Sequence, residues 1–482
     1  MGSETHQLHI FFFPFMAHGH IIPMIDIARL FATRGTKSTI ITTPLNALHF
    51  RETIDRDKQS GLDIQIQTIP FPSKEVGLPE GCEDQGSVPT PELMPNFFQA
   101  IDLLEPPFEK LLEEIRPDCV VGDMFLTWTT DVSKKFGIPR LVFHGKCYFP
   151  LCVSENIKRL SPHEKVRSDS ETFVVPGLPD KIEMTRSEMP KRDAAKNRFA
   201  EMQAKVAETE VTSYGVLVNS FYEMEPAYAE YYKKDMGRRA WNIGPVSLYN
   251  RNFINKAHRG KKAAIDEHVC LNWLDRKEPN SVLYISFGSI FRIGAAQLVE
   301  IAKGLEASKV SFIWVIRTRD DEKESCLPEG FEQKIEGKGL IIKGWAPQVL
   351  ILDHPSVGGF MTHCGWNSTF EGISAGMPLI TWPQFAEQFH NEKLVTQVLK
   401  IGIGTGNKVW SSWMEPEDVC VTKEKVEEVV TQLMGNGEES EERRHRAKEL
   451  GEMAKKAVEE GGSSYNELTA LIEELRTHSQ KS

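Results

Sequence analysis

The sequence predicts an α/β protein made of two doubly wound domains. Three observations carry that expectation. Apolar runs of strand length alternate with stretches of helical spacing through the first half of the chain, and a similar alternation restarts after Asp266. The strand candidates are continuously apolar, as parallel strands covered on both faces are. With 482 residues the chain also exceeds what one core organises, and two domains of roughly 200 to 250 residues are the natural division.

Leu8 to Pro14 is a buried-strand run, and Ile22 to Arg34 has helical spacing closed by Gly35. Further strands are expected at Ser38–Thr42, Ile64–Ile69, Cys119–Gly122, Pro139–Phe143 and Val216–Asn219. Two stretches break the alternation: Pro70 to Pro95 is dense in Pro, Gly and acidic residues, and Asp180 to Ala200 is charged without a strand pattern. Loops of that length in a compact domain tend to be functional or disordered. Ser247 to Asp266 is polar, basic and aperiodic, and reads as a linker. Beyond it come strands at Ser281–Phe287, Phe312–Ile316 and Leu340–Lys343 and a helix at Ala295–Ala307, and the segment Trp345–Gln388 supplies two more strand and helix pairs. Thr422 to Arg476, rich in Glu, Lys and Ala, is helical in character.

Composition narrows the partners. Fifty-seven basic and 68 acidic residues give a net charge of −11, which argues against nucleic acid or an anionic membrane surface. The 8 cysteines form no C-x-x-C pair and no metal-like spacing, and read as reduced thiols of a cytoplasmic protein. Leu8 to Ala17 lacks the basic flank and cleavage site of a signal peptide, and nothing elsewhere approaches a membrane span.

The most informative stretch is WAPQVLILDHPSVGGFMTHCGWNSTFEGISAGMPLITWPQFAEQ, Trp345 to Gln388. Its apolar run Val357–Met361 leads through His363-Cys364-Gly365-Trp366-Asn367-Ser368 into helix-compatible sequence from Thr369 to Ala375. Such a strand, turn and helix start aims backbone N–H groups and the positive helix end at one spot, beside the donors of His363, Asn367 and Ser368, and suits a phosphate. Glu371, one turn into the helix, can accept hydrogen bonds from vicinal ribose hydroxyls. A nucleotide is implied.

This segment resembles the signature box of plant UDP-dependent glycosyltransferases that act on small molecules, and matches it in content and spacing throughout. The resemblance implies the GT-B arrangement: two facing doubly wound, Rossmann-like domains with the site in the cleft, and a last helix that crosses back onto the first domain. It implies an N-terminal acceptor domain at 1–246, a linker at 247–266, a UDP-sugar domain at 267–455 and a returning helix at 456–482. Trp345 would stack on uracil, Gln348 and Glu371 would hold the ribose, and His363, Asn367 and Ser368 the diphosphate. Ala346 and Gly365 belong to the same UDP-binding set. Trp366, Glu387 and Gln388 would face the donor sugar.

The transfer needs an acceptor hydroxyl made nucleophilic. His20, in the loop Phe15–Ile22 after the first strand, lies where doubly wound sheets bind ligands, and a neutral imidazole is a suitable base. Asp123, at the end of the run Cys119–Gly122, can orient the imidazole and stabilise its cation. The family's catalytic pair falls on these two residues. His18 competes for the role, but the family's Gly-His-x-x-Pro register selects His20. The His-x-His pair also raises a metallohydrolase alternative, which would want Asp-His shortly after, where the chain has Ile22-Pro23. Ser289, in Ser286-Phe287-Gly288-Ser289 after a strand, fits a second phosphate contact.

Lys146 departs from the family, which usually has His-Gly-Thr where this chain has His144-Gly145-Lys146. The lysine is expected to turn to solvent; the alternative is that it binds a carboxylate on the donor or acceptor. The expected enzyme is therefore an inverting UDP-glycosyltransferase, with UDP-sugar as co-substrate and neither cofactor nor metal. It is expected to be a monomer that transfers glucose to a hydroxyl of a small hydrophobic acceptor. HIFFFPFMAHGHIIP and ITTPLNA resemble the subgroup acting on flavonoids, triterpenoids or steroids and other phenolics. The alternatives are a UDP-glucuronic acid-using transferase and a non-catalytic nucleotide-sugar-binding protein. Pro70–Pro95 and Asp180–Ala200 are then expected to wall the acceptor pocket.

Overall fold

A computed structural model of the chain describes residues 6–190, 198–290, 293–317, 327–411 and 419–480. Among the described residues the strands are β1 (His9–Phe13), β2 (Lys37–Thr42), β3 (Ile64–Thr68), β4 (Cys119–Asp123), β5 (Arg140–Phe143), β6 (Thr172–Val175), β7 (Ile182–Thr185), β8 (Gly215–Val218), β9 (Ala240–Asn242), β10 (Val282–Ser286), β11 (Ser311–Ile316), β12 (Gly339–Lys343), β13 (Val357–Thr362), β14 (Leu379–Thr381) and β15 (Gly402–Gly404). One sheet runs β3-β2-β1-β4-β5-β8-β9 and a second β12-β11-β10-β13-β14-β15, and the pairings within both are parallel. The fold is α/β with two Rossmann-like sheets, the GT-B arrangement.

The first strand shows why both faces need covering. Phe12 packs with Phe31 and Ile25 on one side, while Phe11 and Phe13 pack with Phe97, Phe108 and Trp128 on the other, as the pleat requires. In the second sheet, Ile285 and Trp314 pack with Val426, Val429 and Leu433 of helix Lys423–Met434. Helix Ser463–Ser479 places Leu468, Leu471, Ile472 and Leu475 in the core of the first sheet, with Glu467 accepting the backbone N–H of Asn242 at 2.6 Å.

Strand order reverses between β1 and β4 in the first sheet and between β10 and β13 in the second. These switch points are where doubly wound sheets leave a crevice at the strands' carboxyl ends. The loops leaving all four strands line one cavity of about 1890 Å³.

Several elements differ from the sequence expectation. Helix His18–Ala32 starts four residues before Ile22, so His20 lies in its first turn and not in a loop. Gly19 and Pro23 mask the helical signal there, since both are poor helix formers. Similarly, helix Trp366–Ser374 begins at Trp366 after Gly365, with no side-chain cap to mark the start. The stretch Asp180–Ala200 does contain a strand: β7 pairs antiparallel with β6, four residues each, too short for period-2 patterning to stand out. Residues 191–197 of that stretch lie outside the described residues. The expected linker begins inside a 3-10 turn, Val246–Tyr249, and contains the short helix Phe253–Ala257.

Candidate active site

His20 and Asp123 meet across the switch point of the first sheet. His20 Nδ1 lies 2.7 Å from Asp123 Oδ2, and Asp123 is fully buried as the last residue of β4. Its Oδ1 accepts the backbone N–H of Phe125 at 3.0 Å, which fixes the carboxylate plane. Behind it, Arg140 Nη2 donates to the Asp123 carbonyl at 2.9 Å. The rings of Phe15 and Phe125 flank the imidazole at 5.5 and 5.4 Å, leaving Nε2 as the nitrogen available to the cavity. Burial pushes the His20 pKa down, but the charge and hydrogen bond of Asp123, with Glu387 adding to them, outweigh it and raise the value above 6.5.

His18 also reaches the cavity but has no such partner. Its Nδ1 stays 3.9 Å from Asp84, and burial, with Lys261 adding to it, lowers its pKa to about 3. The two histidines thus face different carboxylates, and among the described residues no three His, Cys, Asp or Glu side chains converge on a metal position.

At the second switch point, the start of helix Trp366–Ser374 leaves the first-turn N–H groups of Trp366, Asn367 and Ser368 without helical acceptors, since the first helical bond is Thr369 N–H to the Gly365 carbonyl at 3.0 Å. Trp366, Asn367 and Ser368 line the cavity together with Ser289, which follows β10. His363 stands between these two loops. A Cβ on Gly288 would lie 2.5 Å from its ring, and one on Gly365 only 2.4 Å, so both loops close on the imidazole only because those positions lack side chains. Burial lowers the His363 pKa to about 4, and the ring is a neutral donor or acceptor at neutral pH.

Gln348 and Glu371 are joined. Gln348 Nε2 donates to Glu371 Oε2 at 2.7 Å and to Ser368 Oγ at 3.1 Å, while Tyr284 Oη donates to Gln348 Oε1 at 3.3 Å. Trp345 and Ala346 complete this end of the cavity wall. Gln388 Oε1 accepts the backbone N–H groups of Gln384 and Phe385 at 2.9 and 3.2 Å, which directs its NH₂ to the other side.

Two box residues face the first sheet more than was expected. Trp366 is 2% exposed, and its indole N–H donates to the Asn219 carbonyl at 2.9 Å. Asn367 Nδ2 donates to the Gly19 carbonyl at 2.6 Å. That carbonyl is the one Pro23, having no N–H, cannot bond within the helix. Lys146 does not turn to solvent. It lines the cavity, with Nζ 3.8 Å from Glu387 Oε2, because Glu387 supplies a carboxylate across the cleft.

Sequence reasoning missed Arg259, which pairs with both Glu371 and Asp26. It lies in an aperiodic basic run where no spacing singles it out. The wall near His20 is apolar, with Met94, Phe98, Met124 and Phe125, and Gln85, Pro91 and Pro95 of the stretch Pro70–Pro95 also line it.

Residues 187–429 match the family described as UDP-glucoronosyl and UDP-glucosyl transferase. The chain is 54% identical to the scopoletin glucosyltransferase of Nicotiana tabacum over 475 residues, covering 98% of this chain and 99% of the relative. It is 52% identical to UDP-glucose flavonoid 3-O-glucosyltransferase 7 of Fragaria ananassa, with 98% of each covered. Among solved structures it is similar to Glycyrrhiza uralensis UGT73P12 complexed with glycyrrhetinic acid 3-O-monoglucuronide, at a TM-score of 0.92 and 43% identity, covering 99% of this chain and 97% of that one. Medicago truncatula UGT71G1 complexed with UDP-glucose superposes with a TM-score of 0.79 at 25% identity, covering 99% and 100%.

Proposed function

Because the chain belongs to the UDP-glucoronosyl and UDP-glucosyl transferase family, we propose that it transfers glucose from UDP-glucose to a phenolic or triterpenoid hydroxyl, with His20 as the base that takes the hydroxyl proton. The observation that carries this reading is the 2.7 Å contact between His20 Nδ1 and Asp123, which leaves Nε2 facing the cavity. Nε2 takes the proton of the acceptor hydroxyl, and Asp123 stabilises the imidazolium. The acceptor oxygen then forms its bond to the anomeric carbon as the bond to the diphosphate breaks. One displacement without an enzyme nucleophile inverts an α-linked donor and gives a β-glycoside. The leaving UDP keeps the bonding electrons, and its charge is met by Ser289 and the N–H groups at the start of helix Trp366–Ser374.

Trp345 takes the uracil, Ala346 and Gly365 flank the UDP path, Gln348 and Glu371 take the ribose, and His363, Asn367 and Ser368 adjoin the diphosphate. Trp366, Glu387, Gln388 and Lys146 surround the sugar. The indole N–H of Trp366 is already bonded, so that residue contributes its backbone N–H. The reading uses no cofactor and no metal, and takes the protein as a cytoplasmic monomer. It divides the chain into an acceptor domain at 1–246, a linker at 247–266, a UDP-sugar domain at 267–455 and a returning helix at 456–482. At about 1890 Å³ the cavity exceeds the roughly 300–1,000 Å³ of an ordinary ligand site and has room for two substrates. Among the described residues no helix is long and apolar enough to cross a membrane.

His20→Ala tests the reading. Transfer from UDP-glucose to a panel of phenols, followed by mass detection, is expected to fall about 10²- to 10⁴-fold while UDP binding by calorimetry stays near wild type. A variant that retains its turnover removes His20 from the base role.

A further inference from the structure

The segment between the two sheets contributes one side chain that grips both halves. Arg259 Nε donates to Asp26 Oδ2 at 2.8 Å, and its Nη1 donates to Glu371 Oε1. Asp26 sits on helix His18–Ala32, the helix whose first turn carries His20. The other Asp26 oxygen accepts Asn250 Nδ2 at 2.9 Å, and Asn250 Oδ1 accepts Arg29 Nη1 at 2.6 Å. Arg29 in turn holds Asp57 through Nε at 2.5 Å and Nη2 at 3.1 Å. On the far side, the second oxygen of Glu371 accepts Gln348 Nε2.

Asp26, Arg29, Asn250 and Glu371 are buried, so each charge depends on the next for compensation. A planar guanidinium can fix two carboxylates at set angles, which a flexible ammonium cannot. With one donor on each oxygen, the Glu371 carboxylate keeps lone pairs for further hydrogen bonds. It can therefore be held rigid and still accept a diol.

We propose that Arg259 is a positioning residue for the nucleotide: it sets the Glu371 carboxylate in the orientation that accepts the ribose hydroxyls, and ties it to the helix bearing His20. The proposal rests on the reading of Glu371 as the ribose carboxylate. Arg259 acts on the donor through Glu371. Its loss should raise the KM for UDP-glucose and leave the KM for the acceptor unchanged, whereas a general loosening of the fold would move both.

The test compares UDP with 2′-deoxy-UDP by calorimetry on the full chain. Wild type is expected to favour UDP, because the deoxy analogue lacks one of the two hydroxyls. In Arg259→Met, UDP affinity is expected to fall about tenfold and the affinity for 2′-deoxy-UDP much less, so that the preference largely disappears. If the single variant folds poorly, Arg259→Met combined with Asp26→Asn removes one of the two carboxylate charges left without Arg259, and the preference should still be lost. A folded variant that keeps the wild-type preference and the wild-type KM for UDP-glucose overturns the proposal. A wild type that binds UDP and 2′-deoxy-UDP equally overturns the ribose role of Glu371 itself, and the proposal with it.

Discussion

Asp123 controls both the charge and the tautomer of His20. Its Oδ1 is fixed by the Phe125 N–H, so an asparagine side chain that took its place and kept this bond would turn its NH₂ toward His20 Nδ1. Nδ1 would then have to accept, the proton would sit on Nε2, and the nitrogen facing the cavity could not act as a base. Asp123→Asn is therefore expected to lower kcat about 10²- to 10⁴-fold with little change in UDP affinity. The pH profile supplies a second check. As the proposed base His20 must be neutral to act, and its pKa is raised above 6.5, so the kcat/KM of wild type should fall on the acid side with a midpoint above 6.5. In the variant the carboxylate's charge is gone while burial remains, so the His20 imidazole, followed by NMR, should titrate lower than in wild type. An unmoved imidazole titration would mean that Asp123 does not set the charge of His20. Both residues were readable in the chain because each lies at or just after a strand end and falls on the catalytic pair of the family that the chain resembles. Arg140, behind the Asp123 carbonyl, was not, since nothing in its own strand marks it.

At the scale of the element, the second half of the chain depends on two loops that meet at His363. Gly288, with φ of +79°, closes the turn after β10 and leaves no room for a Cβ against the imidazole. Gly288→Ala combines an unfavourable backbone conformation with a clash, and should destabilise the protein by about 1–3 kcal/mol. It should also displace His363 and weaken UDP binding, read by denaturant unfolding and calorimetry on the same sample. An alanine variant that binds UDP like wild type would show that His363 adjusts freely. Sequence alone suggested a phosphate turn here, but placed the helix start three residues late, at Thr369. The shift to Trp366 matters because it makes the N–H groups of Trp366, Asn367 and Ser368 the open ones.

At the scale of the whole molecule, the cleft is where the two halves are compared. Trp366 to Asn219 and Asn367 to Gly19 are hydrogen bonds between them, and Lys146 faces Glu387 across the same space. That ion pair bears on the donor. Lys146 alone would attract the carboxylate of UDP-glucuronic acid, but Glu387 already answers its charge and would repel a uronate. UDP-glucose is expected to dominate a donor competition in wild type and in Lys146→Thr alike. A wild type that prefers UDP-glucuronic acid, with the preference lost in the variant, would show that Lys146 acts on the donor and not on Glu387.

The chain by itself determined the two doubly wound halves and most strands, and singled out the proposed nucleotide box and the His20 and Asp123 candidates. The halves and strands rest on local apolar runs, and the box and the His20 and Asp123 candidates on a resemblance carried by Trp345–Gln388 and by the Gly-His-x-x-Pro register, none of which needs a contact between distant segments. What only the tertiary structure decided are relations between distant segments. The engagement of Asn367 with the carbonyl left open by Pro23, the turn of Lys146 toward Glu387, and the bridge from Asp26 through Arg259 to Glu371 each join residues far apart in sequence. A side chain's partner across a cleft follows from which surfaces the packed domains bring together, and no periodicity in the chain encodes that distance.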